Sequence, residues 1–136
     1  MKLKMITLAG VLALSCSGKK HSPVLDEAFE IHKELREIQK EVITQLASLD
    51  SLKNSPGAFA GLDSAVRAHK SEYNAWKHDL LEVPGYPHIH LEGDEHEHHH
   101  QEQTRLPDEQ ILEIQKASLS GIEEIFSKNR RLLETQ

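Results

Sequence analysis

Apolar residues recur along the chain at steps of three and four. The first set is Ala28, Ile31, Leu35, Ile38, Val42, Leu49 and Leu52, a seam with a 3.5-residue period. Gln45 interrupts it, with Leu46 beside it as substitute. Ser22 is a suitable N-cap, Pro23 suits the first helical position, and Asp26 and Glu27 favour the positive end of the helix. A first helix is predicted over about residues 23–53, ended by the turn signal Asn54-Ser55-Pro56-Gly57. Phe59, Leu62, Val66, His69, Tyr73, Trp76 and Leu80 repeat the spacing and predict a second helix over about 58–82. Val83-Pro84-Gly85-Tyr86-Pro87 stops it. Leu106-Pro107-Asp108-Glu109 opens a third helix over about 107–134. Its apolar face carries Ile111, Leu112, Ile114, Leu119, Ile122, Ile125, Phe126, Leu132 and Leu133. Gly121 inside it costs about 1 kcal/mol relative to Ala and suits a close helix approach.

Three amphipathic helices joined by a short first turn predict an all-α fold. The expected architecture is an antiparallel three-helix bundle with a long His-rich loop, residues 84–104, between helices 2 and 3. Burial of the three seams supplies most of its stability. A helical hairpin that dimerises, with helix 3 packing between protomers, satisfies the same pattern. Composition agrees with the helical reading: 136 residues allow one domain, aromatics are 4%, and Gly plus Pro total twelve. In a hairpin centred near Pro56, His32 is level with about His78, and His69 with about Val42.

The residues before the first seam follow another pattern. A basic start, Met1 to Lys4, precedes an apolar run from Met5 to Leu14 and then Ser15-Cys16. This is the layout of a secretory signal, and the run is too short to span a bilayer unaided. Leu12-Ala13-Leu14-Ser15-Cys16 resembles the lipobox of bacterial lipoproteins, in which the Cys becomes residue one and carries lipid. Leu14 departs from the small residue preferred there. The resemblance implies a signal peptide over 1–15, acylated Cys16 with a tether over 16–22, and a helical domain over 23–136. Several acyl chains, palmitate among them, make a stable membrane anchor. The alternative is an ordinary secretory signal with an incidental Cys. Removing residues 1–15 takes away Lys2, Lys4 and both Met residues, leaving 121 residues with a net charge of −8. Without disulfides, packing alone must hold this domain. By resemblance to lipoprotein sorting, Ser17-Gly18-Lys19-Lys20 after the Cys implies the periplasmic side of the outer membrane.

Six of the ten His fall between His88 and His100, together with four carboxylates. Imidazole and carboxylate are ligands for Zn²⁺, Ni²⁺, Cu²⁺ and Co²⁺, and the lack of sulfur ligands argues against Cu(I). The candidate ligands are His88, His90, His96, His98, His99, His100, Asp94 and Glu97. His88 and His90 are two apart and project to one side of an extended segment, as do His96, His98 and His100. Affinity falls as pH drops through His protonation, near ~6.5 for an ordinary imidazole. His96, Glu97 and His100 also match H-E-x-x-H, but a His-rich tract nearly forces that match and no apolar face supports the required helix. The plainer reading is a solvated polar linker. In composition the loop is similar to those of bacterial periplasmic zinc-binding transport proteins, which implies metal collection rather than chemistry.

The remaining His read as structural. His78 falls on the outward face of helix 2, and His32 flanks the seam of helix 1, although both lie at the end of the bundle that holds the His loop. His69 sits in a seam as a hydrogen-bonded core or boundary residue. Tyr73 and Trp76 read as core aromatics. No nucleophile elbow, phosphate loop or paired carboxylates suggest an enzyme, and the acidic balance argues against nucleic acid. The early-helix run Asp26 to Glu34 (D-E-A-F-E-I-H-K-E), Cys16 and Trp76 resemble a family of small helical bacterial lipoproteins labelled viral A-type inclusion protein-like. That resemblance covers about half the chain and implies no particular activity. Two functions stand open: a lipid-anchored protein that binds or buffers Zn²⁺-like ions, or a non-enzymatic module of the cell envelope that binds an unidentified protein partner.

Overall fold

The computed structural model describes residues 22–91 and 106–135. They form three helices and, among the described residues, no strand: α1 (Pro23–Leu52), α2 (Leu62–His78) and α3 (Asp108–Glu134). The fold is all-α. The start of α1 follows the capping signal. Ser22 Oγ accepts the Leu25 backbone N–H at 3.2 Å, with Pro23 opening the helix. The same hydroxyl donates to the Asp108 carboxylate in the first turn of α3, so one cap fastens two helix starts together.

The contacts set the helix directions. Ser22 meets Asp108 and His32 meets Gln115, so α1 and α3 run parallel. Gln39 meets Tyr73, Asp50 meets Lys70, and Lys53 approaches Asp63, so α2 runs antiparallel to α1. This register is within a few residues of the hairpin expectation. Hydrogen bonds from Lys53 and then Lys70 hold the Asp50 carboxyl down at about 2.

The largest departure is in α2. It spans 17 residues, against 30 for α1 and 27 for α3, and falls short of the expected range at both ends. Gly61 takes a left-handed φ of +106° as its N-cap, which starts the helix after Phe59. Phe59, expected in the seam, is 46% exposed. At the other end the helix stops at His78 and residues 79–91 continue as irregular chain. This segment takes the place of the missing turns: Val83 and Leu91 are buried, and Tyr86 stacks on Phe29 with ring centroids 4.3 Å apart. Burial and a hydrogen bond to Asp26 push the Tyr86 hydroxyl up to about 12.

The core divides into three apolar clusters along the helix axes. One joins Ala28, Val83, Ile111 and Leu112 at the starts of α1 and α3. The central one holds Leu35, Val42, Leu46, Tyr73, Ile122 and Ile125. The third holds Leu49, Leu62 and Val66. Gly121 serves the close approach its position suggested. A Cβ there would stand 3.1 Å from Trp76 Cδ1, and the indole N–H donates to Ser118 O at 2.9 Å beside it.

The two ends of the α1–α2 connection differ in burial, and truncation separates them. Leu49→Ala removes a fully buried side chain and is expected to lower unfolding free energy by roughly 2–5 kcal/mol in urea titrations. Phe59→Ala is expected to change it by no more than about 0.5 kcal/mol, the scale of a surface substitution.

Candidate functional site

Two polar layers separate the three apolar clusters. The larger is built on one face of α1, where His32, Arg36 and Gln39 follow each other at helical spacing. His32 and Gln39 have no exposed surface and Arg36 is 7% exposed. His32, expected beside the seam, lies instead inside the core, because the segment after α2 closes over that face. Gln115 of α3, also fully buried, completes the layer.

Burial on this scale requires partners for every group. Gln115 Nε2 donates to Leu81 O at 2.7 Å, which leaves its Oε1 to accept from His32 Nδ1 at 3.0 Å. Arg36 donates three ways: to Gln39 Oε1 at 3.0 Å, to Glu82 Oε1 at 2.5 Å, and from Nε toward His32 Nε2 at 3.4 Å. Gln39 Nε2 then donates to the Tyr73 hydroxyl at 2.9 Å. The other Glu82 oxygen lies 3.2 Å from His32 Nε2.

His32 Nε2 therefore faces two groups of opposite character. With Nδ1–H donated to Gln115, a neutral ring has a lone pair at Nε2 that can accept from Arg36 Nε. A protonated ring instead donates Nε2–H to Glu82 Oε2. Burial raises the Glu82 pKa, but the His32 hydrogen bond and the charges of His32 and Arg36 outweigh it, so the carboxyl lies below its ordinary 4.5. Among the described residues the layer sets the Glu82 carboxylate against the Arg36 guanidinium and the His32 imidazole.

The smaller layer pairs α2 with α3. His69 Nδ1 lies 2.7 Å from Asn129 Oδ1. The reading of His69 as a hydrogen-bonded boundary residue agrees with this geometry, although its partner is on α3. The Asn129 Nδ2 amide is buried with no hydrogen-bond partner among the described residues.

The expected metal ligands divide between a described pair and six residues outside the described chain. His88 and His90 lie on the segment after α2, exposed, with ring centroids 6.2 Å apart. Ile89 between them is half-buried and Leu91 beyond them is buried, the alternation of an extended chain lying on a surface. His88 Nδ1 is 3.8 Å from Glu82 Oε2, so Glu82 links the pair to the buried layer. Asp94, His96, Glu97, His98, His99 and His100 lie outside the described residues, as do His21 and Cys16. His78 is exposed, as its outward position suggested, and pairs with neighbouring Asp79. Among the described residues no three His, Cys, Asp or Glu side chains converge as a metal-holding group.

Arg36, Gln39, Glu82, Gln115 and Asn129 were not evident as site residues from the apolar pattern. A usable signal existed in α3. Gln115, Ile122 and Asn129 share one heptad position, so two amides stand in register with a core isoleucine.

The sign of the Glu82 shift fixes a pH dependence. Its pKa is lower folded than unfolded, so its contribution is present above about 4.5 and lost as pH falls through the folded value. Near neutral pH, Glu82→Gln removes the carboxylate that faces both Arg36 and His32 and is expected to cost about 1–3 kcal/mol. Urea unfolding in increasingly acid buffer is expected to bring the two proteins together, with the wild type losing more stability than the variant. No protein-family model, curated protein or solved structure matches this chain.

Proposed function

We propose that this chain is a lipid-anchored, non-enzymatic protein of the bacterial cell envelope that binds divalent transition metal through its His-rich segment. In this reading it is an antiparallel three-helix bundle of the small helical lipoprotein type. Residues 84–104 form the metal-collecting loop, and acylated Cys16 holds the bundle to the periplasmic side of the outer membrane.

The observation that carries the metal reading is the exposed pair His88 and His90 beside Glu82. Two imidazoles at this separation suit a shared ion after small side-chain movements. Metal-bound His commonly points its second ring nitrogen at a carboxylate, which fixes the tautomer and raises ligand basicity. Glu82 stands on the Nδ1 side of His88, leaving Nε2 to ligate. His96, His98, His99, His100, Asp94 and Glu97 supply the further ligands in the proposal. Zn²⁺ suits this nitrogen and oxygen set, and Ni²⁺, Cu²⁺ and Co²⁺ are accepted by the same donors. Ligation needs neutral imidazole, so affinity weakens in acid.

Calorimetric titration of the full chain with Zn²⁺ tests this reading. Saturable binding tighter than about 1 mM is expected, weakened at least tenfold in a variant with the six His of residues 88–100 changed to Gln. Binding weaker than millimolar, or unchanged in that variant, overturns the metal reading. The anchor is tested separately by mass spectrometry of the native N-terminus, where a chain beginning at acylated Cys16 is expected. Cys16→Ser is expected to shift the protein out of the membrane fraction, and an uncleaved or unacylated N-terminus overturns the anchor.

A further inference from the structure

α2 and the segment after it cover one side of the parallel pair α1 and α3. The opposite side carries a stripe that no element of the described chain covers. Ile31 and Ile38 on α1, and Leu119, Phe126 and Leu133 on α3, are half-buried along it. Leu119 to Leu133 at 1.5 Å per residue makes the stripe about 21 Å long. Near its middle is a cleft of about 240 Å³ lined by Ile38 and Phe126 at its floor, with Glu41, Glu123 and Ser127.

The carboxylates around this cleft differ from several of their neighbours on α1 and α3. Glu37 pairs with Lys40, Glu72 and Glu124 with Lys128, and Glu27 with Lys116. Glu41 on α1 and Glu123 on α3 both line the cleft, and neither has an ion pair among the described residues. Glu34, one turn before Ile38 on the same side of α1, has none either. Gln45, two turns after Ile38 on the stripe, has a buried Oε1 with no hydrogen-bond donor among the described residues. The groove thus offers apolar side chains flanked by carboxylates.

We infer that this groove is a docking site for an amphipathic helix of a partner protein, with an apolar face and flanking Lys or Arg side chains. An apolar helix face seated in a groove is a standard mode of peptide recognition. The charges select among occupants. A second copy of this chain would bring the same unpaired carboxylates against Glu34, Glu41 and Glu123, and an anionic membrane surface would be repelled likewise. A helix with basic flanks neutralises them. The inference stands apart from the metal proposal and uses none of its residues.

The test uses the full chain and two designed 18-residue helical peptides with one leucine seam, flanked by Lys in one and by Glu in the other. Fluorescence anisotropy is expected to show the Lys peptide binding at least about tenfold more tightly than the Glu peptide, with affinity falling as salt rises. Glu123→Lys is expected to weaken the Lys peptide severalfold. Asp79→Lys, the same charge change outside the groove, is expected to leave it unchanged. Phe126→Ala, with helicity checked by circular dichroism, is expected to weaken both peptides. Equal binding of the two peptides, or equal effects of Glu123→Lys and Asp79→Lys, overturns the inference. So does self-association of the chain that Ile38→Glu abolishes, which would assign the groove to a second copy.

Discussion

The ion pair between Arg36 and Glu82 is the contact on which the rest of this structure depends. Arg36 lies on the face of α1 that turns inward, where a guanidinium without a counter-charge costs several kcal/mol. Its carboxylate is not on α2. It comes from the irregular segment four residues past the end of that helix, at a bond length of 2.5 Å. To place Glu82 there, the chain must leave helical geometry at His78 and run across the starts of α1 and α3. The short α2, the burial of Val83 and the seating of Tyr86 on Phe29 follow from the same path. A longer α2 would have continued the helical seam and left Arg36 beside apolar side chains.

The polar layers also bear on register. Three smooth apolar seams can slide past one another by a heptad with little loss, since Leu, Ile and Val exchange places. Here the central apolar cluster is bounded by His32, Gln39 and Gln115 at one end and by His69 and Asn129 at the other. A one-heptad slip would set Gln115 against apolar neighbours and take its acceptor oxygen from His32 Nδ1. Buried polar groups can therefore select one alignment of α1 with α3 even where their net contribution to stability is small. The shared cap of Ser22 on Asp108 reinforces that alignment at the helix starts.

How much of this was legible beforehand depends on what each signal encodes. The extents of α1 and α3 were readable because capping residues and seam periodicity act locally. The hairpin register was readable because it follows from the place of the turn at Pro56. The limits of α2 were not, because apolar spacing ran through Phe59 and Leu80 while a left-handed Gly61 and a long-range ion pair decided where the helix could exist. His32 was misplaced for a related reason. A helical wheel drawn for two partners puts it at the edge of the seam, but a third layer of irregular chain turns that edge into core. His88 and His90 were legible as an exposed pair from their spacing of two. Their closeness to Glu82 was not, because it arises only when the segment folds back over α1.

The same path explains why the two sides of the α1 and α3 pair differ in chemistry. On the covered side the buried Arg36 guanidinium is answered by Glu82. Desolvation enforces this, since an unanswered charge there would stay unanswered in the folded state. On the open side water screens the carboxylates of Glu41 and Glu123, and nothing in folding requires them to be paired. Apolar side chains between them are less well served, because Ile38 and Phe126 keep surface that only another apolar face would remove. Among the described residues, folding therefore answers the buried guanidinium and leaves the apolar stripe covered only in part, the asymmetry on which the proposed helix partner rests.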